Sequence, residues 1–209
     1  MENNLQNLFP VPLWKAQIGD EKLNKKLNDA IHDIAKKDTQ FDPEKYPFGY
    51  TSYISHLPLQ NDIRFKEITQ KILIECKHYL SAMRIKKTIE DHALGLRVYD
   101  LFCNINKQYS FHGPHRHECA DLSVVYYVDV NEQSSAFVAH NPAEPLFMHT
   151  RLEFFEDDSP LVNDQHEIQP KTGQVLIFPS WLMHEVKQQK TVQERVSIAL
   201  NLGIIKKNE

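Results

Sequence analysis

The sequence predicts a mainly β sandwich or barrel backed by helices at its N-terminal end, and three observations carry that prediction. Two helical stripes occupy the front of the chain: Leu23, Leu27, Ile31 and Ile34, then Phe65, Ile68, Ile72, Cys76, Tyr79 and Met83. After Asp91 the character changes to short runs of β-formers, of which Leu122 to Val130 (LSVVYYVDV) is the clearest. Turn residues separate those runs, as at Asn141-Pro142, Asp157 to Pro160 and Pro170 to Gly173. A helical stripe must bury its apolar side, and the outer face of a β-sheet is the available partner.

Bulk composition narrows the possibilities. The chain of 209 residues suits one domain with a real core, residues 1–92 forming an arm and helical support and 93–209 the β core. A net charge of -4 offers no basic field, which argues against nucleic acid as a direct partner. Cys76, Cys103 and Cys119 lack metal-finger spacing and read as reduced thiols of a cytoplasmic protein. No apolar run approaches the roughly 18 residues of a membrane span. The opening MENNLQNLFP lacks a basic segment followed by an apolar one, so no secretory signal is expected. Eleven histidines are the compositional oddity, five of them falling between His112 and His149.

In chain order, residues 5–18 mix apolar residues with two prolines and suggest an extended arm. Asp20 is a plausible N-cap for a helix reaching Lys37. Residues 38–60, with several prolines and aromatics, read as a surface loop, and a second helix is expected from about Asn61 to Met83. Strands are expected over 94–105, 122–130, 136–139, 147–155, 175–178, 184–187 and 196–202.

Two stretches carry the candidate chemistry. Gln108 to Val128 offers His112, His115, His117 and Glu118 immediately before the best strand. Alternate residues of an extended segment share a side, so His115 and His117 can reach one metal ion, although two surface histidines in a turn would look the same. Gly173 to Asn201 adds His184 just past a Pro-Ser-Trp turn, with Trp181 expected to wedge that turn against the core. Imidazole ligands suit iron, zinc, copper or nickel. Arg195 opens an otherwise apolar strand, where a guanidinium is costly to bury without an anion. A carboxylate ligand held with Ser197 would satisfy it, and so would an ion pair to Glu185 or Glu194. His112, His140, His149 and His166 are expected at the surface or behind the ligands.

His115-x-His117, His184 and Arg195-x-Ser197 together resemble the site plan of the iron(II)- and 2-oxoglutarate-dependent oxygenases. The resemblance extends to a subgroup found in bacteria and phages, through Leu8-Phe9-Pro10, the strand at Leu122 to Val128, the Phe-Pro-Ser-Trp-x-x-His block within Gly173 to His184, and Arg195 to Asn201. It implies a double-stranded β-helix (jelly-roll, cupin-like) with N-terminal helices. It further implies Fe(II) as metal, with 2-oxoglutarate as co-substrate and dioxygen as oxidant. His115 and His184 would be ligands. His117 stands where the wider superfamily carries a carboxylate, so His117, Glu118 or Asp121 would complete the set.

The implied reaction is hydroxylation of a small molecule or protein side chain, coupled to decarboxylation of 2-oxoglutarate to succinate. Arg195 and Ser197 would hold the far carboxylate of the co-substrate, with Tyr127 or Tyr126 and Asn104 as further contacts. Competing readings are a cupin-like non-redox metalloenzyme using the same histidines, which has no need of the Arg195 clamp, and a catalytically silent metabolite-binding jelly-roll. Substrate choice would lie in residues 38–60 and 140–172, with the acidic stretch 153–167 as a lid or a passive loop. A homodimer is left open.

Overall fold

The described residues, 10–85, 94–143 and 163–206 of the computed structural model, comprise two helices and ten strands. These are β1 (Trp14–Gln17), α1 (Glu21–Lys37), β2 (Gly49–Thr51), α2 (Lys66–Ala82), β3 (Leu94–Asn106), β4 (His112–His115) and β5 (Leu122–Asp129), then β6 (Phe137–His140), β7 (Gln165–Ile168), β8 (Gln174–Pro179), β9 (His184–Val186) and β10 (Arg195–Lys206). Among the described residues every strand pairing is antiparallel. A six-stranded sheet runs β1-β8-β5-β10-β3-β2, and a four-stranded sheet runs β4-β9-β6-β7. This is the jelly-roll expected from the sequence. Among the described residues, no helix is long and apolar enough to cross a membrane.

The large sheet has two occupations because side chains alternate along a strand. On β5, Leu122, Val124, Tyr126 and Val128 join the cluster formed with Leu23, Leu27, Ile31, Ile68 and Ile72 of the helices. Val125 and Tyr127 face the other way, into a smaller cluster with Phe137, Leu176 and Phe178. Each fully buried isoleucine of the helical layer contributes enough that truncation to alanine costs about 2–5 kcal/mol. On β10, Val196, Ile198, Leu200 and Leu202 serve the helical core, whereas Arg195, Ser197, Ala199 and Asn201 line a cavity between the sheets.

Specific polar links fix the helical layer. Asp20 Oδ1 caps α1 by accepting from the Leu23 amide at 2.8 Å. The Trp14 indole donates to Glu75 Oε2 at 2.9 Å, tying β1 to α2. The Tyr126 hydroxyl donates to Asn24 Oδ1, joining β5 to α1. Tyr126→Phe is expected to cost about 1–2 kcal/mol, because it strands a buried acceptor. Urea denaturation reads this directly, and an unchanged midpoint would show that the bond anchors nothing. Gly173 closes the β-turn into β8 at φ +81°, with its amide on the Tyr127 carbonyl and a Cβ there only 2.8 Å from the Gly19 carbonyl oxygen.

Several sequence expectations are revised. The loop over 38–60 contains β2, which registers Gly49 against Asn106 and Thr51 against Asn104, and the N-terminal arm supplies β1. The second helix begins only at Lys66, after short 3₁₀ turns at Leu59–Asn61 and Ile63–Phe65, and Met83 is 44% exposed. β4 forms across Gly113-Pro114 although both residues disfavour strands, because its flanks pair with β9. Trp181 does not wedge the turn; it is 53% exposed, and Leu182, at 2%, fills that role. The expected strand 147–155, His149, Leu8-Phe9 and most of the 153–167 stretch lie outside the described residues. The end of that stretch enters β7 and is sheet, paired with β6.

Candidate metal and co-substrate site

Strand pairing assembles the histidines. His115 closes β4, His184 opens β9, and the two are register partners with ring centroids 4.3 Å apart. His117 follows the strand and is held by its backbone, whose amide donates to the Ser180 carbonyl at 3.0 Å. Ser180, fully buried, also donates its amide to the Asp121 carbonyl and meets Ser123 Oγ at 2.9 Å. The Pro-Ser turn thus serves to pin the His117 segment. One potential ligand atom from each of His115, His117 and His184 lies within 4.8 Å of the others.

Two of the rings are oriented by backbone carbonyls. His184 Nδ1 contacts the Leu182 carbonyl at 2.8 Å, and His115 Nδ1 contacts the Gly113 carbonyl at 2.8 Å. A carbonyl only accepts, so each Nδ1 carries a proton and each neutral ring leaves its Nε2 lone pair free. Burial, with the neighbouring His115 adding to it, pushes His184 down to about 3 and His117 down to about 4. Phe137 and Phe178 flank the His184 ring at 5.4 and 4.8 Å.

Of the alternative carboxylates, Asp121 Oδ2 accepts from the Ile204 amide at 2.6 Å. Glu118 lines the cavity outside the three-imidazole group.

Arg195 sits in the same cavity at 1% exposure. It forms no ion pair among the described residues: Glu194 instead meets His32 at 2.8 Å and Lys107 at 3.9 Å, and Glu185 meets His140 at 3.7 Å. Its Nε donates to the Ser135 carbonyl at 3.2 Å, and Nη1 reaches Asn106 Oδ1 and Ser197 Oγ, each at 3.4 Å. Its Nη2 is buried with no partner. Asn104 Oδ1 and Tyr127 Oη are likewise buried without a hydrogen-bond partner, and the guanidinium lies 5.1 Å from the centre of the Tyr127 ring. Burial pushes the Tyr127 phenol up to about 12 against the pull of Arg195. Tyr126 is engaged with Asn24 on the helical side, so Tyr127 is the tyrosine on the cavity side.

The sequence reading missed several contributors. Asn106, fully buried, donates to the Tyr46 hydroxyl at 2.8 Å while accepting from Arg195, and so orients the guanidinium. His112, expected at the surface or behind the ligands, lines the cavity and stacks on Tyr46 with ring centroids 4.8 Å apart; burial, with His115 adding to it, takes it down to about 3. Asp100 also lines the cavity. Only the strand phase of Asn104 and Asn106 was readable beforehand. His140 is half-buried beside Glu185, and His166 is exposed on β7.

A jelly-roll gathering three imidazoles and a buried, unneutralised arginine at one cavity has the layout of a mononuclear metal enzyme that uses an anionic co-substrate. Residues 100–201 match the family model described as "Putative 2OG-Fe(II) oxygenase". The match spans Asn104, the three histidines, Arg195 and Ser197. A search of the curated proteins finds no match.

Among solved structures, the fold resembles AviO1 from Streptomyces viridochromogenes Tue57 at 8% identity, over 92% of this chain and 90% of that one, with a TM-score of 0.60. It resembles HygX from Streptomyces hygroscopicus, crystallised with nickel and 2-oxoglutarate, at 11% identity over 92% and 83%, with a TM-score of 0.56. The carbocyclase SnoK of nogalamycin biosynthesis aligns at 11% identity over 92% and 79%, with a TM-score of 0.59. At these identities the likeness is one of fold.

Proposed function

We propose that this chain is an iron(II)- and 2-oxoglutarate-dependent dioxygenase of the hydroxylating type, with His115, His117 and His184 as the metal ligands. Arg195 and Ser197 take the distal carboxylate of the co-substrate, and Asn104 and Tyr127 add polar contacts to it. The observation that carries this reading is the Arg195 guanidinium, buried beside the three imidazoles with Nη2 lacking a partner. A buried cation without a counter-charge is expensive, and a carboxylate supplies both the charge and the missing acceptor. A non-redox metalloenzyme has no use for that clamp.

The bound iron and co-substrate supply dioxygen activation coupled to decarboxylation. The protein's residues do the rest by placement. The Leu182 and Gly113 carbonyls hold two imidazoles in one tautomer, Ser180 fixes the third by its backbone, and Asn106 sets the plane of the guanidinium. The phenylalanines around His184 keep water from that side. We place the protein in the cytoplasm on the strength of three free thiols, with Cys119 exposed.

Anaerobic addition of iron(II) and 2-oxoglutarate is expected to produce the weak visible charge-transfer band of the chelate. Admission of air should then yield succinate. Neither band nor succinate would sink the oxygenase reading.

A further inference from the structure

One wall of the cavity carries polar groups that the metal and co-substrate leave unused. Asp100 lies on β3 opposite Asn201, and shares a face with Phe102 and Asn104 by strand alternation; all of these line the cavity. The Asp100 carboxylate has no hydrogen bond or ion pair among the described residues. Beside it, the Tyr53 and Phe102 rings pair at 5.0 Å and 57°, both lining the cavity, with Tyr53 53% exposed at the mouth.

The charges around this end leave Asp100 uncompensated. Arg116 and Glu118 flank His117 with opposite signs, and both line the cavity. Arg195 belongs to the opposite end, where the co-substrate carboxylate neutralises it. The cavity, at about 660 Å³, falls within the range of small-molecule sites, roughly 300–1,000 Å³. An unpaired carboxylate next to an aromatic pair attracts a cation twice, through the charge and through the ring faces.

We propose that this end of the cavity receives a small-molecule substrate carrying an ammonium group, with Asp100 pairing the ammonium and the Tyr53–Phe102 pair covering the adjoining carbon skeleton. An anionic group there would meet Asp100 and be repelled. A neutral hydroxyl would gain a hydrogen bond without the charge. The inference rests on the reading of the triad and Arg195 as metal and co-substrate sites.

The test uses protein loaded with manganese(II) and 2-oxoglutarate, and two probes of similar size, 2-phenylethylammonium and 3-phenylpropionate. Manganese enhances the proton relaxation of a probe bound near it. The ammonium probe is expected to show saturable enhancement and the carboxylate probe none. Asp100→Asn should weaken the ammonium probe about tenfold or more, and Asp100→Glu should restore part of the loss. Manganese and 2-oxoglutarate affinities, measured on the same samples by calorimetry, should stay unchanged in Asp100→Asn. Wild-type protein that binds both but treats the two probes alike, or an Asp100→Asn variant that keeps the preference, overturns this inference alone. Wild-type protein that binds neither manganese nor 2-oxoglutarate overturns the co-substrate reading and this inference with it.

Discussion

Arg195→Ala is expected to lower 2-oxoglutarate affinity by about 100-fold or more, while nickel or cobalt binding is retained. The guanidinium is 1% exposed, carries a buried Nη2 without a partner, and stands in the same cavity as the imidazoles. Its loss removes the guanidinium from that end of the cavity without touching a metal ligand. Calorimetric titration of metal-loaded protein reads the two affinities separately. Thermal melts add a second readout, since saturating co-substrate should raise the wild-type melting temperature and leave that of the variant almost unmoved. Arg195→Lys should recover little, because an ammonium cannot reproduce the planar fork oriented by Asn106 and Ser135. Equal affinities for wild type and Arg195→Ala would remove the clamp from the mechanism.

His184→Ala is expected to weaken nickel or cobalt binding by about 100-fold or more. His184 is 6% exposed, packs against two phenylalanine rings and has its tautomer fixed by Leu182, so the ring is held in place for the metal. Glu118→Ala, by contrast, should leave metal affinity within about twofold, because Glu118 stands outside the three-imidazole group. A large loss in Glu118→Ala would make the carboxylate a ligand and displace His117 from the set.

The parts legible in the sequence were those with a period or a fixed spacing. Asp20 and the Leu23-Leu27-Ile31-Ile34 stripe located α1, and the β-branched run at Leu122 located β5. Spacing along extended chain put His115 and His117 on a common side, and the family resemblance added His184; the structure brings a ligand atom of each together. Features set by partners in space were hidden. β4 runs through Gly-Pro, which local propensity assigns to a turn, and exists because β9 offers a ladder. Choosing Tyr127 over Tyr126 needed the phase of β5, which the helices fix by taking Tyr126 onto Asn24. Trp181 looked like core by size, yet Leu182 holds the buried position, since a turn reverses which side of the chain faces inward. Asn106, Tyr46 and Asp100 belong to no short motif: the sheet sets Asp100 on the cavity wall and Asn106 beside Arg195, and Tyr46 reaches Asn106 from the loop ahead of β2.

The alternation along β10 has an evolutionary consequence. Val196, Ile198, Leu200 and Leu202 pack into the helical core, while Arg195, Ser197, Ala199 and Asn201 line the cavity. A single inserted or deleted residue there would exchange the two sets and ruin both at once. Divergence to new substrates is therefore channelled away from this strand, towards the stretches that reach the cavity from one side only. Thr51 to Ile54 and Arg116 to Glu118 are such stretches, touching the cavity without crossing the helical core. A library meant to alter what the enzyme accepts belongs at Thr51, Tyr53, Ile54, Arg116 and Glu118, with His117 and β10 left as written.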